Sequence, residues 1–99
     1  MRRPQQLAHE LRDQVRALLA RRMEFPEGTI VTVTRADVTD DGQTATLYLS
    51  VFPLERGPMV LRLLREQRYQ LQRAIYERLD RHPGPRVRFA LEPWVSGSQ

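Results

Sequence analysis

The stretch that most constrains this chain is Val31 to Pro53, VTVTRADVTDDGQTATLYLSVFP, which reads as two strands joined by a tight turn. In the second strand Ala45, Leu47, Leu49 and Val51 alternate with Thr44, Thr46, Tyr48 and Ser50, so one face is apolar and the other polar. In the first strand the alternation changes phase: Val31 and Val33 are odd-numbered, Ala36 and Val38 even-numbered. A strand with one buried face holds both sets inside only if a residue is inserted between them, which predicts a bulge near Thr34-Arg35. Asp40-Asp41-Gly42 supplies the turn, with glycine taking the positive φ that such loops require.

Helical patterns flank this hairpin. From about Gln6 to Met23, Leu7, Leu11, Val15, Leu18 and Leu19 recur at helical spacing and form one stripe. Met1 to Gln5 reads as a basic, flexible arm ahead of it. Phe25-Pro26 stops the helix, because the residue before a proline is driven out of the α region. After a loop from Pro53 to Pro58, a second pattern runs from about Met59 to Arg81, with Val60, Leu61, Leu64, Leu71, Ile75 and Leu79 on its apolar side. At about 100° per residue Arg68 falls in the middle of that side, where it either snorkels out along its methylenes or, the favoured reading, is exposed by a kink or break around Gln67-Arg68. His82-Pro83-Gly84-Pro85 ends the helix. Arg86 to Leu91 forms a third strand with Val87, Phe89 and Leu91 turned inward, and residues 95–99 read as a flexible tail. The expected architecture is α+β: order helix, strand, strand, kinked helix, strand, with the helices packed on one face of a three-stranded sheet, in a single domain spanning 1–99.

Composition narrows the chemistry. Cysteine is absent from the 99 residues, which removes disulfides, thiolate zinc sites and cysteine nucleophiles and fits a reducing cytoplasm. No apolar run reaches membrane-spanning length. All sixteen basic residues are arginine, each a planar fork able to grip phosphate at two points and to stack on a ring. The net charge of +4 favours polyanionic partners.

The side of the second helical segment away from its apolar stripe is the strongest candidate surface. Arg62, Arg65, Tyr69, Gln72, Arg73 and Tyr76 fall within about a quarter-turn of one another. Arginine interleaved with tyrosine suits single-stranded RNA, with cations for phosphates and rings for bases. The plainer alternative is a solvated helix face, but only Glu66 and Glu77 offset Arg62, Arg65, Arg68, Arg73 and Arg78. Arg86 and Arg88 share one side of the third strand and either extend the footprint or protect a sheet face or edge. Arg12 and Arg16 sit beside Glu10 and Asp13, which favours pairing within the first helix.

His9 and His82 lack companion ligands at metal-like spacing. Asp37, Asp40 and Asp41 lack the closing glutamate of a calcium loop and are better explained by turn chemistry. Trp94 reads as a plug over the end of the core. There is no phosphate loop, nucleophile elbow or acid–base constellation, so neither an enzyme nor a cofactor is expected, and no small-molecule substrate.

Taken together these segments resemble the ribosome-binding factor A family, from Leu7 to about Leu91. The likeness rests on the proline-stopped first helix, on Val31, Thr32, Val33, Ala36, Val38, Thr39 and Asp41, on Ala45, Leu47, Tyr48, Leu49 and Ser50, and on PRVRFALEP from Pro85 to Pro93. The resemblance implies a type II KH-like fold. It also implies a non-catalytic assembly factor that binds small-subunit ribosomal RNA during late maturation of the small ribosomal subunit. One departure stands out: the family breaks its second helix at Ala-x-Gly, where this chain has Gln67-Arg68-Tyr69.

The sequence therefore predicts a monomeric, cytoplasmic RNA-binding domain that contacts RNA through Arg62, Arg65, Arg68, Tyr69, Arg73, Tyr76, Arg86 and Arg88. Two alternatives stay open on the residues alone: a general single-stranded RNA-binding module, and a protein-interaction module using the same arginine–tyrosine face, since these residue types are also frequent in interface hot spots.

Overall fold

A computed structural model of the chain describes residues 4–79 and 84–93. Helix α1 (Pro4–Arg22) is followed by strands β1 (Ile30–Val38) and β2 (Thr44–Phe52), helices α2 (Gly57–Glu66) and α3 (Arg68–Leu79), and strand β3 (Arg86–Leu91). Helix α1 starts at Pro4, two residues before the expected start at Gln6 and within the stretch read as an arm, since a proline is accommodated in a first turn where its missing N–H has no helical partner anyway. Pro58 does the same for α2, which follows a 3-10 turn at Leu54–Arg56 and begins at Gly57 within the stretch read as loop.

The sheet order is β1-β2-β3, with β2 central, antiparallel to β1 and parallel to β3. A parallel neighbour requires a long crossover, and α2 with α3 provides it. Pairing of β1 with β2 runs in register from Ile30↔Phe52 to Val33↔Leu49, then resumes at Arg35↔Tyr48. Thr34 is the inserted residue, so the bulge falls where the phase of the sequence changes. At the turn Gly42 has φ 73°, and its amide donates to the Thr39 carbonyl at 2.8 Å.

The inward face of the sheet, with Val33, Ala45, Leu47, Leu49, Val51, Val87 and Phe89 all buried, meets the buried stripes of all three helices. These include Leu11 and Val15 of α1, Val60 and Leu64 of α2, and Leu71 and Ile75 of α3. Burial of such side chains, about 1.5–3 kcal/mol each, is the main force holding the layers together. The other face of the sheet carries Thr44, Thr46, Tyr48, Ser50, Arg86 and Arg88, while α1, α2 and α3 lie on the inward side.

The second helical segment is broken. Gln67 separates α2 from α3 with φ −99° and ψ 11°, and its amide donates to the Leu64 carbonyl at 3.1 Å while its own carbonyl accepts from the Leu71 amide at 2.9 Å. One residue thus ends one helix and starts the next. Its backbone lies near the bridge region, which residues with a Cβ can occupy, so the break forms without glycine. The break leaves Arg68 exposed and Leu71 and Ile75 facing the core.

Candidate nucleic-acid interface

The helix-borne candidates flank the corner at Gln67, where α2 ends and α3 begins. Arg62 and Arg65 on α2 and Arg68, Tyr69 and Arg73 on α3 are all exposed, and Tyr69 keeps 72% of its surface in solvent. Arg62, Arg65 and Arg73 make no hydrogen bond or ion pair among the described residues. The Arg68 guanidinium stands 5.6 Å from the Tyr69 ring centre, within cation–π reach. The corner therefore presents uncommitted cations beside an exposed ring.

Gln72 and Tyr76 face another way. The Gln72 Oε1 accepts from the Val87 amide at 2.9 Å, and the Tyr76 hydroxyl donates to the Pro85 carbonyl at 3.0 Å. These bonds satisfy the outer edge of β3, which would otherwise offer unpaired backbone groups to another strand. Burial pushes the Tyr76 phenol above its ordinary range, against a smaller opposing pull from the nearby Arg86 charge. Tyr76 is half-buried with its hydroxyl engaged.

Arg86 and Arg88 are exposed on the outer face of the sheet, beside Thr44 and Thr46 in register. The eight residues singled out from the sequence thus form two groups, one at the helix corner and one on the sheet face. Tyr76 lies at the edge between them.

The sheet face also holds an arrangement that sequence reasoning missed. Glu92, just beyond β3, is 6% exposed, and its amide donates to the Leu49 carbonyl at 2.8 Å. Its carboxylate reaches β1, accepting from the Thr34 hydroxyl and from Arg35 Nε at 3.1 Å. The Arg35 guanidinium lies 3.8 Å from the centre of the Tyr48 ring and also meets Asp37 at 2.9 Å. Glu92, with Asp37 adding to it, holds Arg35 above the ordinary arginine range despite some opposing desolvation. The bulge is the one sequence signal that pointed here, since it places Thr34 and Arg35 together on this face.

Of the minor candidates, only Arg16 departs from the sequence reading. Arg12 does pair with Asp13 at 3.1 Å, but Arg16 leaves its own helix and donates from Nε to the Val33 carbonyl at 2.8 Å. Asp41 accepts from the Thr39 hydroxyl at 2.7 Å and the Gln43 amide at 3.0 Å, and both bonds hold its carboxyl below the usual range. This is turn chemistry, and no metal-binding cluster of histidine and carboxylates occurs among the described residues. His9 is exposed on the flank of α1, while His82 and Trp94 lie outside the described residues. No helix of the described residues is long and apolar enough to cross a membrane.

A three-stranded mixed sheet backed on one face by helices, with a broken crossover helix carrying the exposed cations, defines a type II KH-like domain. Comparison with known proteins narrows the class. The sequence pattern of ribosome-binding factor A matches residues 3–96. Ribosome-binding factor A of Akkermansia muciniphila is 32% identical over 91 residues, covering 92% of this chain and 72% of that protein. The crystal structure of ribosome-binding factor A from Thermus thermophilus superposes with a TM-score of 0.76 at 24% identity, over 89% of this chain and 93% of that one. Coordinates for the T. thermophilus protein fitted into a cryo-EM map of its complex with the 30S subunit give a TM-score of 0.67 at 27% identity, over 90% and 97% of the two chains. The chain belongs to the ribosome-binding factor A family.

Proposed function

We propose that this protein is a non-catalytic assembly factor that binds ribosomal RNA of the small subunit during its late maturation, as a monomer in the cytoplasm. The observation that carries the reading is the helix corner: Arg62, Arg65 and Arg73 stand without acidic partners around the exposed Tyr69. Guanidinium groups of this kind anchor phosphates and set position, while an exposed ring offers a stacking surface for an unpaired base. Arg86 and Arg88 add positive charge on the sheet face. Family membership and the fit of the T. thermophilus relative into a 30S complex support the choice of partner.

The test is co-sedimentation of the purified protein with small subunits, large subunits and joined ribosomes at physiological salt, using wild type and an Arg62/Arg65/Arg73→Ala variant. Selective migration of the wild type with small subunits, lost in the variant, is the expected result. Equal migration with all three particles would leave a general single-stranded RNA-binding domain. Migration with none would remove the ribosomal reading.

A further inference from the structure

The arginine surface does not end at the helix corner. The last turn of α1 carries Arg21 and Arg22, both exposed, and it packs beside α3. Two shallow grooves run between these helices, of about 250 and 230 Å³, and share Arg22, Ala74 and Glu77 as lining. The first adds Arg21 and Arg78, and the second adds Arg73. Ala74, buried and small, lets the helices approach closely enough for both rows of side chains to border one channel.

The charge of this channel is unbalanced. Among the described residues that line it, four arginines face a single acid, Glu77, and no ion pair within 4.0 Å joins Glu77 to any of them. Arg78 is held by a 3.0 Å hydrogen bond from Nη1 to Gln14 Oε1, which fixes one side of its guanidinium and leaves its remaining N–H groups available. Arg21 and Arg22 would also favour the α1 C-terminus through the helix dipole. That role uses their charge alone and does not require a second row of arginines across a groove. Arg73 belongs both to this channel and to the helix corner, so the two surfaces are continuous.

We infer that the α1–α3 groove, lined by Arg21, Arg22, Arg73 and Arg78, is a second phosphate-binding track that receives the RNA backbone as it leaves the helix corner. The inference rests on the RNA-binding reading above and extends it to α1, which the helix-corner argument does not involve. Such a track contributes through counterion release, at a slope of about 0.7 per phosphate neutralised on a single strand. It is indifferent to base identity.

The test is fluorescence anisotropy of a labelled oligouridylate of about twelve nucleotides, a length typical of such sites, titrated with protein from about 50 to 400 mM KCl. Wild type, Arg21→Gln/Arg22→Gln, Arg21→Lys/Arg22→Lys and Arg62→Ala/Arg65→Ala are compared, with thermal melts to confirm folding. For the glutamine pair the slope of log affinity against log salt should fall by about 1.4, with at least tenfold weaker binding near 0.1 M. The lysine pair should keep the wild-type slope, since it keeps the charge. If the glutamine pair matches wild type within twofold while Arg62→Ala/Arg65→Ala loses affinity, the groove is overturned and the helix corner stands. If wild type itself shows no salt-dependent binding, the RNA reading fails and the groove with it.

Discussion

Arg35 and Glu92 are fifty-seven positions apart in sequence and meet at 3.1 Å across the outer face of the sheet. The glutamate follows β3, bonds β2 through its backbone amide and closes on the bulge of β1 through its carboxylate, so one residue ties the three strands together. Its side chain is 2% exposed, whereas the arginine is open to solvent, so Glu92 is the buried member of the pair.

The bond from Thr34 is the most direct probe of this tie. Thr34→Val keeps the shape of the side chain and removes a donor to a buried carboxylate. The expected loss of stability is about 1–3 kcal/mol. It is read from the urea midpoint, with an unchanged slope showing that the unfolded state is the same.

The hairpin turn has a pH signature. The Thr39 hydroxyl, and after it the Gln43 amide, holds the Asp41 carboxyl below the usual aspartate value. A group depressed in the folded state contributes stability above its unfolded pKa and loses it as pH falls through the folded value. The turn contacts should therefore persist at neutral pH and weaken only below about pH 4. In an NMR titration of Asp41, Thr39→Val should move the midpoint upward, toward the ordinary value.

Tyr76 behaves in the opposite sense. Burial raises its phenol, so the neutral form favours the fold below about pH 10 and this contribution is lost as pH rises through the folded value. Spectrophotometric titration should find Tyr76 ionising above ordinary tyrosine, and higher still in Arg86→Gln, which removes the opposing charge. Tyr76→Phe frees the Pro85 carbonyl and should lower stability by about 0.5–1.5 kcal/mol.

Tyr69 separates binding from folding. Its ring is mostly in solvent, so Tyr69→Ala should leave stability within about 0.5 kcal/mol of wild type. Loss of a stacking ring costs about 1–3 kcal/mol of binding to single-stranded RNA, or roughly five- to 150-fold in affinity. Equilibrium binding to the oligouridylate, measured beside a thermal melt, checks both numbers.

Much of this arrangement was legible in the sequence because it follows from local periodicity. The odd-to-even phase change in β1 called for a bulge near Thr34-Arg35, and Arg68 in the middle of an apolar stripe favoured a break in the helix over an arginine snorkelling out. The same angular count singled out Arg62, Arg65, Tyr69 and Arg73, and all four are exposed. What sequence reading could not supply were bonds set by which elements become neighbours. Gln72 and Tyr76 share helical spacing with the arginines, yet they bond to β3 because the crossover places that strand beside α3. Glu92 precedes a proline and carries no periodic signal, and its role depends on a strand order that no local pattern encodes. Arg16 had acids close by in sequence and instead found a carbonyl on the neighbouring strand.

The break at Gln67 has a last consequence. A KH glycine loop clamps the backbone of its RNA, and glycine in general lets main chain come close to a ligand. Here every residue of the junction has a side chain, so a phosphate at this corner would be held off at the length of an arginine. Recognition on those terms measures charge spacing and the presence of a free base rather than the base's identity. A partner would then be chosen by its shape, and discrimination would have to come from a folded RNA surface presenting its phosphates in the right places.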